Sequence, residues 1–397
     1  MRALFWALAA ALACAPAAAQ DRFLVRSEPG NPVVTVEILL AAGPADEPAG
    51  EEGVAYLTAR SVVAPVRPLL DSLGARLRVE GRKDAVSMTL TAAPDAWDEA
   101  TRILLVALFR DPVSGEAVER QRTAIAAELT GREASPADAL AREVDAAVWG
   151  REHPWGRPAV GTAASVARIT PESVELFLRR AFSQERALVA VVGPVERADV
   201  AARVAAFLEP GPLRGGEVPP PVRGDTAVHT EYNAITAWVS ASYRFGADAD
   251  VESIRMLGSL VLDQVGFGPT RRSVYDQGAE VVRHAGGGEL RIHLVVPPRE
   301  AEAWGGRIRD AVAAYAGAPV PETVFAERAR RFRGRRLLEL DSPEARADAL
   351  ARGALVGERG DPLAALRGVT AERLNAAAKS LEAPVLVYLG PFENGGE

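Results

Sequence analysis

Runs of Val, Leu and Ile separated by Gly-, Pro- and acid-rich breaks divide the chain into short and long segments. Residues 22–26 and 32–42 are rich in β-branched and aliphatic side chains and predict strands. The breaker-loaded stretch 43–53 predicts a loop, and the apolar run 54–63 predicts a helix. Residues 75–80 and 85–91 read as a strand pair turning at 81–84. Helices follow over about 95–109 and 115–149, the second broken near Ser135-Pro136. The loop 153–158, a helix over 171–181 and a strand ending at Gly193 complete this half.

The same plan then recurs. An apolar run reaches Ala42-Gly43-Pro44-Ala45-Asp46, and another reaches Phe245-Gly246-Ala247-Asp248. Thr170-Pro171-Glu172 opens a helix that leads to an apolar strand and Gly193, and Thr370-Ala371-Glu372 opens one leading to Gly390. Gly43 and Gly246 are 203 residues apart and Thr170 and Thr370 are 200 apart, so order and spacing are both kept. Repetition on this scale predicts tandem related domains instead of a solenoid of short repeats. In the second half, strands are expected over 227–232, 235–245 and 385–389, with a hairpin at Gly286-Gly287-Gly288. Helices are expected over 251–265 and from Arg299, Glu322 and Ala371. The Gly/Pro-rich stretch 209–224 reads as a semi-stiff linker, which gives domains over 20–208 and 225–397. The fold class is therefore α+β, two homologous domains, each a mainly antiparallel sheet with helices on one face.

Charge and composition narrow the function. A net charge of −7 leaves no basic excess to neutralise phosphates, which argues against a nucleic-acid binder. Only Lys83 and Lys379 are lysines among 46 basic residues, so arginine abundance by itself marks no site. Arg2, the apolar run 3–13 and Ala17-Ala18-Ala19 form a signal-peptide pattern over residues 1–19, and predict export to the periplasm or beyond. A lipoprotein signal at Cys14, the sole cysteine, is the alternative. No later stretch is long and apolar enough to span a bilayer.

The ordered set Glu128-Leu129-Thr130, Pro136, His153-Pro154-Trp155-Gly156, Gly161-Thr162, Ile169-Thr170-Pro171-Glu172 and Ala190-Val191-Val192-Gly193 resembles the insulinase/pitrilysin family of inverted-zinc-motif metallopeptidases. The resemblance covers residues 21–392. It implies a zinc motif H-x-x-E-H on the helix after Gly53-Val54-Ala55, whose two His bind the metal while the Glu activates water. Here those positions hold Tyr56, Ala59 and Arg60, and only the downstream ligand position, Glu128, is kept. No zinc and no catalytic residue are therefore expected. Arg60 and Glu128 are expected to meet as an ion pair where the metal would lie, with Tyr56 a groove or core aromatic. The connection 61–73 is expected to be shortened, since Glu128 follows Arg60 by only 68 residues.

The resemblance also implies an Arg and a Tyr in the later domain that grip substrate. Their positions fall on Val274 and Val281, with Arg272 and Tyr275 as weak substitutes. His153, Gly161 and Gly193 read as structural. His284 and His293 are expected on opposite faces of the hairpin, Ala285 pairing with Glu289. The stretch 327–336 is expected to be the solvated face of a long helix. Three functions remain open. One is a non-catalytic member that pairs with an active homologue, or with itself, to form a peptide-degrading chamber. Another is a stand-alone peptide-binding or scaffold protein, and the last a residual metallopeptidase.

Overall fold

The computed structural model describes residues 22–208, 211–220, 226–266, 273–358 and 360–392. The signal-peptide segment, both edges of the linker and Arg272 lie outside these residues.

In the first half β1 (Phe23–Ser27) and β2 (Val34–Leu40) precede α1 (Val54–Val63), the short α2 (Arg67–Ser72) and the hairpin β3 (Arg76–Gly81) and β4 (Val86–Ala92). Then come α3 (Trp97–Phe109), α4 (Gly115–Glu133), α5 (Pro136–Trp149), α6 (Ala163–Val166), α7 (Pro171–Ala181), β5 (Ala187–Gly193) and α8 (Arg197–Val204). The second half repeats this with β6 (Ala227–Glu231), β7 (Ala237–Gly246), α9 (Val251–Gly266), β8 (Asp276–His284) and β9 (Gly287–Val296). It continues with α10 (Ala301–Gly317), α11 (Glu322–Glu339), α12 (Pro343–Leu355), α13 (Pro362–Ala365), α14 (Ala371–Ser380) and β10 (Val385–Gly390). The sheet orders β1-β5-β2-β4-β3 and β6-β10-β7-β9-β8 are the same order five strands apart. In each, one parallel edge pair joins an otherwise antiparallel sheet.

The recurring threonine has a local reason. Thr170 and Thr370 are N-caps whose hydroxyls accept from Ser173 N and Arg373 N, each at 3.2 Å. The apolar run of β2 has one too, because Val34, Val36, Ile38 and Leu40 face the first core while Leu39 joins a second cluster behind the sheet. A strand covered on both faces needs no alternation.

Each sheet carries its own helices on one face. Behind it lies a helix from the other half. α12 packs on β2 and β5 of the first sheet, and α5 packs on β7 and β10 of the second. The two hairpin turns meet across this seam. Asp84, in the β3–β4 turn, accepts from Trp155 Nε1 at 2.6 Å and from Ala285 N, in the β8–β9 turn, at 3.1 Å. Beneath them Lys83 Nζ reaches Asp145 Oδ2 at 2.6 Å, Arg291 bonds both Asp145 and Glu289, and Trp149 Nε1 donates to Glu289 at 3.0 Å. Burial alone would raise the Asp145 pKa, but Arg291 and Lys83 outweigh it and hold the carboxyl below its ordinary range.

Four details depart from the sequence reading. The β8–β9 turn is Ala285-Gly286, with His284 opposite Gly287 and His293 opposite Gly278. That register places both imidazoles on the same face of the sheet, six β9 residues apart, because three adjacent glycines leave the turn position locally undetermined. His284 is buried, stacked on Trp155 at 4.3 Å between ring centroids. The described linker residues 211–220 have no regular structure but are docked: Leu213 packs behind the first sheet, Val218 beside Trp149 and Trp155, and Pro219 O bonds His153 Nε2 at 2.9 Å. The connection after α1 holds the extra helix α2, and α8 and α12 were not expected.

Candidate functional site

α1 is set in place by its entry loop. Gly53 caps it with φ +95°, and a Cβ there would lie 2.5 Å from Val160 O. Facing it, Gly161 has φ +73° and a Cβ on it would lie 2.2 Å from Glu52 O. The loop and the turn before α6 thus touch backbone to backbone, which only glycine permits. Glu47 accepts from Gly53 N at 3.0 Å and Ala55 N at 3.1 Å, satisfying donors at the start of the helix. Burial raises its pKa to about 7 even so, with those two hydrogen bonds offsetting part of the penalty.

Nearly two turns into α1 the guanidinium of Arg60 spans the gap to α4. Its Nη1 donates to Tyr56 Oη at 2.8 Å and to Glu128 Oε2 at 3.2 Å. Nη2 donates to Glu128 Oε1 at 3.1 Å, and Nε to Gln121 Oε1 at 3.1 Å. The pair is bidentate and held at both ends, which favours Arg over Lys at this position. Burial lowers the Arg60 pKa, but Glu128 and Tyr56 more than compensate, so the group is held firmly protonated. Ala59, on the same helix, is fully buried against the core. Gln121 was not among the sequence candidates. It precedes Glu128 by seven residues, two turns along the same face of α4, and that spacing was the available signal.

This donor set does not fit zinc. A guanidinium has no lone pair to give and stays charged, a methyl offers nothing, and what remains is one carboxylate and one phenol. Among the described residues no group of three His, Cys, Asp or Glu side chains is gathered as a metal set. The backbone that would hold the family motif is nonetheless in place, with α1 facing α4. The triple change Tyr56→His, Ala59→Glu and Arg60→His is therefore expected to create stoichiometric zinc retention after dialysis, read by elemental analysis. Adding Glu128→Ala to it is expected to abolish that retention.

The second candidate pair is not assembled. Val281 is buried in the second core and Val274 packs against that core, so neither position presents a group to a peptide. Tyr275 stands exposed just before the edge strand β8. His153 accepts from Trp155 N at Nδ1, 3.1 Å away, and bonds Pro219 O through Nε2, a structural arrangement with both ring nitrogens used. Gly193 ends β5, where a Cβ would lie 2.8 Å from Val33 O.

No family model matches the chain. An uncharacterized zinc protease of Mycobacterium leprae is 26% identical over 195 residues, which is 47% of this chain and 44% of that protein. The chain thus spans under half the length of that curated relative. A peptidase M16 inactive domain from Pseudomonas fluorescens superposes with a TM-score of 0.77 at 18% identity, covering 94% of this chain and 96% of that one. A protease from Helicobacter pylori superposes with a TM-score of 0.77 at 15% identity, covering 92% and 96%. Two five-stranded sheets of one topology give the chain the fold of these solved structures, and over about half of its length it is similar to proteins named zinc proteases.

Proposed function

We propose that this chain is a non-catalytic subunit that pairs with an active insulinase-type zinc peptidase and closes a peptide-degrading chamber, working outside the cytoplasm after removal of residues 1–19. The observation that carries the reading is the Arg60–Glu128 bridge. It sets a fixed cation against Glu128 at the place where the resemblance would put a metal. Active members of the family surround substrate with four such domains, and this chain holds two sheets of that type.

A second reading, a stand-alone peptide-binding or scaffold protein, is favoured by one feature. β6 lies at a sheet edge with alternately exposed side chains, open to an added peptide strand. Affinity purification of the tagged protein from its native envelope fraction separates the two. A stoichiometric homologue carrying an intact H-x-x-E-H motif is the expected result. Recovery of the chain without such a homologue would transfer the weight to the second reading.

A further inference from the structure

The charged helix α11 has an outer face that its own fold leaves uncovered. Phe325, Ala329 and Phe332 turn into the second core. Outside them, Glu322, Ala326, Arg330, Arg333, Gly334 and Leu337 border a groove of about 570 Å³ whose floor is Phe325 and Ala329. The first-half helix α4 is packed by α1, α6 and α7, whereas α11 rests chiefly on α9. Leu337 is 51% exposed beside this groove.

Three further observations bear on what covers it. Glu322 and Arg330 make no polar contact with the described residues, although other charges of the helix do, such as Arg331 with Glu327 and Arg336 with Glu339. Arg333 donates only to the carbonyls of Leu366 and Val369, so no carboxylate balances its charge. Gly334 sits inside the helix, where glycine is less favourable than alanine. A Cβ there would meet nothing within 4 Å, so packing within the chain gives no reason for its small size.

We propose that this groove is self-complementary and that α11 of two copies of the chain pair antiparallel across a two-fold axis. With the axis between residues 327 and 328, the exposed Ala326 of each copy lies beside the crossing. Glu322 then stands opposite Arg333 and close to Arg330, and symmetry makes every contact twice. The groove is acidic at one end and basic at the other. That polarity selects an antiparallel copy over a uniformly acidic partner, because the latter would leave Glu322 facing like charge. The small side chain of Ala326 beside the crossing allows the close helix approach that such packing needs. This face is remote in sequence from the Arg60 site, and the proposal stands independently of the chamber reading.

Sedimentation equilibrium on the purified mature chain tests it. The natural protein is expected to show a concentration-dependent dimer that weakens with added salt. Ala326→Arg, a change at an exposed helical position, is expected to leave a folded monomer by circular dichroism. Glu322→Arg should weaken the dimer about tenfold or more, and joining it with Arg330→Glu should restore the affinity. A natural chain that stays monomeric at high micromolar concentration overturns the proposal. So does a dimer indifferent to Ala326→Arg, or a double variant no tighter than Glu322→Arg alone.

Discussion

Replacing Asp145 with alanine is expected to destabilise the protein by about 3–5 kcal/mol, the range for stripping a buried cation of its partner. Asp145 is buried and takes Lys83 Nζ on one oxygen and Arg291 on the other. Glu289 would still contact Arg291, but it also accepts from Trp149 Nε1, and nothing comparable remains for Lys83 except the carbonyl of Arg157. The loss falls on the seam where α5 lies behind the second sheet. It should appear in urea titration as a lower midpoint with an unchanged slope. A change below about 1 kcal/mol would mean that water reaches the network and solvates both cations.

Glu37→Gln is expected to act in the opposite direction, and only above acid pH. Glu37 lies on β2, fully buried behind the first sheet under α12, with the Thr89 and Ser87 hydroxyls as its nearest polar company and no well-formed hydrogen bond to either carboxylate oxygen. Burial is the main reason that its pKa rises from 4.5 to about 7; Asp348 on α12 adds to the shift, while Thr89, Arg82 and Ser87 offset part of it. Below pH 4.5 the carboxyl is neutral in the folded and unfolded chain alike, and the fold carries no penalty. As pH rises from there to about 7, the unfolded chain releases the proton and the folded chain keeps it, so stability falls. At about 1.36 kcal/mol per unit the loss reaches about 3 kcal/mol and is constant at higher pH. The glutamine variant should therefore match the natural protein near pH 4 and exceed it by about 3 kcal/mol at pH 8. Equal stability of the two at pH 8 would show that the carboxylate is solvated in the native state. Glu47, shifted the same way to about 7, leaves a residual slope in both proteins, so the difference between them isolates Glu37.

What the sequence disclosed depended on whether the signal was local. Residues 54–63 and 171–181 read as helices and are helices with those bounds, because their signals lie within a few residues: apolar spacing after Gly53 in the first, Pro at N1 and a Thr cap in the second. Arg60 and Glu128 could be brought together because the resemblance supplied the long-range pairing. Gln121 carried no resemblance and needed the two-turn spacing to be noticed. The rear-face helices were hidden for a different reason. α12 buries mainly Ala347 and Ala351, and such a small-residue stripe does not say which sheet receives it. The seam network was equally silent, since Asp145 looks like any helix-surface acid and Arg291 like any of many arginines. Lys83 was the one clue, a lysine kept in a chain that otherwise uses arginine almost throughout.

The crossed placement of α5 and α12 also sets a schedule for synthesis. The first sheet is complete in sequence once β5 has emerged at residue 193, yet the helix that covers its rear face ends at residue 355. For the intervening 162 residues of translation, Leu39, Leu188 and Ala190 face solvent. α5 waits as well, its apolar side exposed until β10 arrives at residues 385–390. Neither half can finish before the other is nearly made. A nascent chain of this kind offers sticky surface to chaperones for most of its elongation, and one truncated before α12 should be cleared as unfolded protein.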